Sequence, residues 1–233
     1  MLVSIVIPAR RGEERLAALL QQLPPQRDAE IIVAFGGALD EGARRVKQLR
    51  RDVIWVEGAE GRGPQLNAGA ARAKGAWLWF VHADSRLPKD WPSTFHALAT
   101  ARDVIGGSFA FRLETTAWQA RVIERAVAAR VALFGLPYGD QGIFVRRAVF
   151  QRMGGYAAIP LMEDVDFVRR LKRFGRVRHL KEHIGTSARR WERDGWWRRS
   201  AVNLLFLGLY QLGASPAWLA KRYHRTYADQ AGT

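Results

Sequence analysis

Two short acidic segments carry residue types at spacings that can do chemistry. In Phe80-Val-His-Ala-Asp-Ser85, Asp84 follows an apolar run, and His82 stands two positions before it. A carboxylate at the end of a β-strand faces the crevice in which open α/β sheets bind their ligands. With a polar neighbour such as His82 it can hold Mg2+ or Mn2+ across two phosphates, where the cation eases departure of a diphosphate. The competing role for Asp84 is structural, as a turn residue or helix N-cap ahead of Pro88. In Leu161-Met-Glu-Asp-Val-Asp166, three acids fall within four positions and open a segment that turns basic at Arg169, Arg170, Lys172 and Arg173. The helix dipole alone favours that polarity. A carboxylate there, Asp164 or its neighbour Glu163, can equally be a general base that takes the proton of an attacking hydroxyl.

Three further segments suit anions and sugars. Gly58-Ala-Glu-Gly-Arg-Gly-Pro-Gln-Leu-Asn-Ala-Gly69 is a glycine-rich loop leading into a helix, able to turn backbone N–H groups and Arg62 toward an anion. It is not a dinucleotide fingerprint, because Leu66 stands where the third glycine belongs, and no Gly-Lys-Ser/Thr follows to make a P-loop. Leu136-Pro-Tyr-Gly-Asp-Gln-Gly142 reads as a tight turn with Asp140 and Gln141 at its tip, which an ordinary Asx turn also explains. Thr186-Ser-Ala-Arg-Arg-Trp-Glu192, followed by Trp196-Trp197-Arg198-Arg199, clusters the residues that grip diphosphate and stack on sugar or lipid. RNA-binding proteins use the same types, but no RNP, KH or zinc-knuckle pattern accompanies them, so nucleic acid is disfavoured.

These residues need a scaffold, and the first half of the chain supplies its signature. Short β-rich runs at Leu2–Pro8, Glu30–Phe35, Val53–Val56 and Trp77–His82 alternate with helical patterns at Glu13–Leu23, Asp40–Arg50 and Pro64–Lys74. Leu16, Leu19, Leu20 and Leu23 keep the spacing of a core-facing helical stripe. Such alternation predicts βαβ units and a mostly parallel central sheet flanked by helices. Beyond Gly106 the spacing predicts strands at Ser108–Leu113 and Gly142–Arg146 around a helix at Trp118–Phe134. Helices at Glu163–Phe174, Gly195–Leu212 and Pro216–Tyr227 complete the set. The expected organisation is one α/β domain: 1–105 as a nucleotide-binding half, 106–194 facing an acceptor, and 195–233 as C-terminal helices.

Bulk properties bound the classes. With 233 residues, 48% of them hydrophobic, the chain can bury one sizeable core. It has no cysteine, which excludes disulfides and thiolate metal sites. The apolar start Met1–Pro8 lacks a basic leader and a cleavage site and reads as a buried strand. The run from Val202 to Ala214 is too short to span a bilayer. A cytoplasmic protein is expected, with the option of lying on the inner membrane face. The net charge of +15 attracts polyanions in general, without choosing among them. The Trp- and Arg-flanked C-terminal run is either an interfacial helix meeting anionic lipid or a helix packed in a core or a homodimer.

Taken in order along the chain, these segments resemble family-2 glycosyltransferases of the GT-A fold. Val3-Ser-Ile-Val-Ile-Pro-Ala9 is similar to the family's first strand and donor loop, and Glu13 lies near its usual acidic follower. Asn67, Ala68 and Gly69 stand at its Arg-Asn-x-Gly segment, with Leu66 in place of the Arg. His82-Ala-Asp84 stands at its Asp-x-Asp position, with His82 replacing the first acid, and Glu163-Asp164 matches its Glu-Asp pair. Ser187-Ala-Arg-Arg-Trp191 keeps the Arg and Trp of its Gln-x-x-Arg-Trp segment. One departure is Phe35, which occupies the position of the Asp that contacts the donor base; Asp40 is the nearest substitute. The order of segments is also similar to that of a small bacterial subgroup linked to arsenosugar biosynthesis and radical-SAM proteins.

The resemblance implies an inverting, divalent-metal-dependent transferase. Its donor would be a nucleotide-diphosphate sugar, UDP-linked by first expectation, and its acceptor a small-molecule or lipid hydroxyl. It implies Asp164 and Glu163 as catalytic residues and Asp84 and His82 at the metal. Pro8, Ala9, Glu13, Arg62, Asn67 and Arg190 would bind nucleotide and diphosphate, and Asp140, Gln141 and Trp191 would meet acceptor or sugar. The alternative is a catalytically inactive nucleotide-sugar binding module.

Overall fold

A computed structural model describes residues 2–228. The first half runs β1 (Val3–Ala9), α1 (Arg15–Gln21), β2 (Ala29–Phe35), α2 (Glu41–Leu49), β3 (Ile54–Glu57), α3 (Arg62–Arg72) and β4 (Trp77–Phe80). β1 pairs in parallel with both β2 and β4, and β2 with β3. β1 and β4 are apolar without alternation because both faces are covered, the usual condition of a parallel strand. Period-2 geometry divides β1 between two cores. Ile5 and Ile7 join Leu16, Leu20 and Phe35 beneath α1, while Val6 joins Ile32 and Leu66 beneath α3. α3 lies close on the sheet because Gly69 has no Cβ, which would stand 2.5 Å from Val6 Cγ1.

The second half adds β5 (Ser85–Arg86), α4 (Trp91–Thr100), β6 (Val104–Glu114), α5 (Trp118–Phe134) and a 3-10 turn at Gly139–Gln141. Then follow β7 (Phe144–Arg146), α6 (Arg147–Arg152), α7 (Glu163–Leu171), β8 (Arg176–Ser187), α8 (Arg189–Asp194), α9 (Trp196–Gln211) and α10 (Pro216–Ala228). All strands share one eight-stranded sheet in the order β3-β2-β1-β4-β7-β6-β8-β5. β7 is antiparallel to β4 and β6, β5 is antiparallel to β8, and the remaining pairs are parallel. The fold is thus α/β with a largely parallel sheet, as expected from the alternation of elements.

The chain leaves β1 toward β2 on one side and returns to β4 on the other. The β1–β4 boundary is therefore a topological switch point, and loops leaving the carboxyl ends of both strands border one crevice.

Several elements differ from the expected set. α4, α6, α8 and the short β5 were not anticipated, nor was the 12-residue β8. β8 carries Arg176, Arg178, Lys181 and Glu182, mostly exposed, so its strand character comes from pairing with β6 rather than from apolar alternation. β6 starts at Val104 because Gly106 and Gly107 lie inside it; a Cβ on Gly107 would fall 1.8 Å from Arg178 O of β8. The last five residues of the expected C-terminal unit, 229–233, lie outside the described residues.

Candidate active site

The crevice is assembled from four chain segments. The stretch after β4 brings His82, with Asp84 beside the cleft 3.5 Å from Arg190, and the 3-10 turn brings Tyr138 and Asp140. The start of α7 brings Glu163 and Asp164, and the end of β8 with α8 brings Thr186, Ser187, Arg190 and Trp191. Arg62, at the start of α3, joins them, and Asn203, Phe206 and Tyr223 of α9 and α10 close the far wall. The cleft holds about 800 Å³ of empty space, part of it open to solvent.

Asp164 is the most tightly framed acid. Its Oδ2 accepts the Gly139 N–H at 2.7 Å and its Oδ1 accepts the Val165 N–H at 2.7 Å. A carboxylate has about four acceptor sites, so a further hydrogen can still be received. Gly139 makes this approach feasible: a Cβ there would meet His82 Nε2 at 3.0 Å and Asp164 Oδ2 at 3.3 Å. His82, Gly139 and Asp164 are therefore immediate neighbours although they come from three elements. Met162, just before the pair, has φ 66° and is the sole non-glycine residue with positive φ among the described residues. Such strain in a non-glycine residue persists where surrounding structure enforces it, and it gathers at functional sites. The helix N-terminus that follows favours the negative charge of Glu163, Asp164 and Asp166.

Charge in the cleft is dense and mixed. Arg62 faces Glu163, Asp164, Asp140 and Asp84, and its Nη1 lies 3.5 Å from Glu163 Oε1. Arg190 Nη2 lies 3.5 Å from Asp84 Oδ2. Burial raises the pKa of Glu163, with Asp164 adding to the rise against Arg62. Burial likewise pushes Asp140 up to about 6, opposed by Arg130 and reinforced by Asp164. His82 is driven well below its ordinary value by burial, then by Arg62 and Arg190, and so is neutral. Glu13 in the β1–α1 loop shares this field: burial and Asp84 raise its pKa, while Arg10 and Arg190 lower it.

Other expected site residues are placed differently. Asn67 spends both ends of its carboxamide on Tyr156, donating to its carbonyl at 2.8 Å and accepting its N–H at 2.8 Å. It thereby anchors the loop that leads to Glu163. Gln141 is buried with Nε2 on Phe109 O and Oε1 accepting from Tyr138 N and Arg130. Neither amide lines the cleft, whereas Asp140 and Trp191 do. Pro8 and Ala9 end β1 away from the cleft lining, and Ala9 O accepts from Gln65 Nε2 at 2.7 Å. Phe35 is buried in the core. Asp40 caps α2 by accepting from Ala43 N at 2.7 Å and holds Gly12 N at 2.9 Å; these two bonds lower its pKa. Two residues had no earlier functional reading. Gln65 clips the ends of β1 and β2 together through Ala9 O and Ala34 O. Tyr138 lines the cleft with its ring 3.6 Å from the Arg130 guanidinium; neither role shows in local sequence pattern.

Residues 4–154 match Glycosyl transferase family 2. The chain belongs to this family. Being a family-2 member it is a glycosyltransferase, and solved structures of GT-A glycosyltransferases share its fold. It is similar to S. aureus TarS residues 1–349, at 14% identity and TM-score 0.63, over 97% of this chain and 72% of that one. It is also similar to the mannosyltransferase PcManGT from Pyrobaculum calidifontis in complex with GDP-Man and Mn2+. That match has 18% identity and TM-score 0.63, over 99% of this chain and 75% of that one. A third is glucosyl-3-phosphoglycerate synthase from Mycobacterium tuberculosis, in complex with Mn2+, UDP and glucosyl-3-phosphoglycerate. It shows 17% identity and TM-score 0.59, over 88% of this chain and 78% of that one. No curated protein matches the sequence.

Complexes of the last two structures contain Mn2+, which raises whether this glycosyltransferase's donor set suits a cation. Among the described residues no group of three or more His, Cys, Asp or Glu is placed to hold a metal alone. A cation carried on a diphosphate needs fewer protein ligands, because phosphate oxygens and retained waters complete its shell. Asp84, at the mouth of the switch-point crevice, suits that role, and neutral His82 is in the protonation state that ligates metals. Two such groups do not make a metal site by themselves, so a cation would depend on donor phosphates for the rest of its shell.

Proposed function

We propose that this glycosyltransferase moves a sugar from a nucleotide-diphosphate donor to an acceptor hydroxyl in one displacement, inverting the anomeric carbon. The observation that carries the reading is Asp164, fixed by two backbone N–H groups in a cleft that also holds Arg62 and Arg190, with Asp84 3.5 Å from Arg190. Asp164 accepts the proton of the acceptor hydroxyl as its oxygen attacks the anomeric carbon. The bond from that carbon to the diphosphate breaks, and its electron pair leaves on the phosphate oxygen. Arg62 and Arg190 face that oxygen's charge, exchanging their present partners Glu163 and Asp84 for phosphate. Asp84, with His82, would hold a Mg2+ or Mn2+ ion, which when bound neutralises charge developing on the diphosphate. Asp140 and Tyr138 orient hydroxyls of sugar or acceptor beside the base. Glu13, in the field of Asp84 and Arg190, borders the donor side, and Trp191 the acceptor side.

A UDP-sugar is the first donor to test, but Phe35 is buried and Asp40 is committed to backbone N–H groups. Neither offers a free carboxylate to the donor base, so discrimination among UDP-, GDP- and dTDP-sugars is expected to be weak. The same observation favours the second reading, an inactive nucleotide-sugar binding module. Metal-dependent donor binding by the wild-type chain with no turnover on any donor would establish that reading. The subgroup resemblance adds an arsenosugar precursor to the acceptors for trial. The proposed chemistry predicts that Asp84→Ala and Asp164→Asn each reduce donor turnover at least about 100-fold. Wild-type-like rates in both would remove the assignment.

A further inference from the structure

Two neighbouring helices turn apolar stripes outward. On α5, Trp118, Val122 and Leu133 are 64%, 40% and 76% exposed, with the small Ala126 and Ala129 on the same side between them. On α9 and just beyond it, Trp197, Leu204 and Leu212 are 52%, 56% and 87% exposed, with Ala201 and Gly208 between them. The steps of three, four and seven residues put each set on one helical face. α5 and α9 contact one another, and the Trp118 and Trp197 rings meet at 5.9 Å. The two stripes therefore meet at their Trp ends. The inner sides of both helices are already used: Ala120, Ile123 and Val131 of α5 are buried, as are Arg199, Phe206 and Leu207 of α9. Contiguous apolar surface of this kind marks an interaction site.

Charge selects the occupant. Besides buried Arg199, α5, α9 and the adjoining α10 together hold seven Lys and Arg and one acid, Glu124. Glu124 is largely buried and accepts from Leu113 N and pairs with Arg121. Trp218 of α10, beneath Arg222, extends the aromatic and basic character. A second copy of a +15 chain would be repelled by this surface, whereas anionic headgroups are attracted to it. Exposed Trp and Leu flanked by Lys and Arg suit the headgroup–acyl boundary of a bilayer. We propose that the α5–α9 face docks on an anionic membrane surface. The bilayer would then lie against the outer side of α9, the helix whose inner residues Asn203 and Phe206 wall the cleft. The proposal concerns binding alone and does not depend on the transfer chemistry.

The test is co-sedimentation of the full chain with phosphatidylcholine vesicles, with and without phosphatidylglycerol. The expected result is binding at least about tenfold tighter to the anionic vesicles, weakening as added salt shortens the screening length. Leu133→Glu with Leu204→Glu, both on exposed positions, is expected to reduce that binding at least about tenfold while leaving circular dichroism and thermal unfolding unchanged. Absence of phosphatidylglycerol-dependent pelleting would overturn the proposal. So would unaltered binding by the double variant, which would place the lipid contact away from this face. A dimer in sedimentation velocity that Leu204→Glu dissociates, without vesicle binding, would assign the face to a second copy instead.

Discussion

Tyr138 lines the cleft, and burial pushes its pKa up to about 12, against the lowering effect of the Arg130 guanidinium beside it. It is thus neutral. Tyr138→Phe removes the hydroxyl but keeps the ring beneath Arg130, so it should change stability by no more than about 1 kcal/mol while lowering kcat/KM about fivefold to tenfold. Parallel unfolding and turnover measurements check the two effects. Asp140 makes a different prediction. Its folded pKa of about 6 lies above the ordinary 3.8, so the native state binds its proton more tightly than the unfolded chain. Its contribution to stability is full below the unfolded value and is lost as pH rises through the folded one, a cost of up to about 3 kcal/mol. Asp140→Asn should therefore be more stable than wild type near pH 8 by about 1–3 kcal/mol, the gap closing toward about pH 4 in urea titrations. Asp84 and Asp164 were legible in sequence because each acid adjoins an element boundary that local pattern locates. The uses of Asn67 and Gln141 were not. Carboxamides suit ligands and backbone equally, and their partners Tyr156 and Phe109 lie 89 and 32 residues away.

At the scale of elements, the approach to α7 decides where the acids stand. Asn67 of α3 grips the backbone of Tyr156, whose ring stacks on Phe167 of α7 at a 4.1 Å centroid distance. Arg170 of α7 reaches back to Met153 O and Gly155 O. α3 can come this close because Gly63 lacks a Cβ, which would stand 2.5 Å from Ala157 O. Asn67→Ala removes both amide bonds and should cost about 1–3 kcal/mol in urea unfolding. It should also lower turnover while donor affinity is retained, since the loop before Glu163 and Asp164 loosens. The first seven elements were legible because apolar runs and helical stripes mark buried parallel strands and their covering helices. β8 was hidden because its first eight residues carry four charges and two histidines, and its pairing with β6 is set by topology. α4 was hidden for another reason: Trp91, Thr94, Phe95 and Leu98 are buried, but Pro92 in its first turn looks like a break in the sequence.

Across the whole molecule, strand order does the gathering. The parallel half ends at β4, and the antiparallel β7 beside it opens the sheet to β6 and β8. The 3-10 turn before β7 and the end of β8 thus come to face the crevice of the β1–β4 switch point. Buried Asp194 secures the far wall, pairing with Arg193 at 2.6 Å and with Arg199. The account rests on this gathered cleft being a transferase site in which Asp164 is the base. The direct measurement is release of nucleoside diphosphate from a saturating nucleotide-sugar, with wild type, Asp164→Asn and Asp164→Glu compared with and without Mn2+. The account predicts Mn2+-dependent turnover that falls at least about 100-fold in Asp164→Asn and recovers in part in Asp164→Glu. Turnover in Asp164→Asn equal to wild type would contradict it.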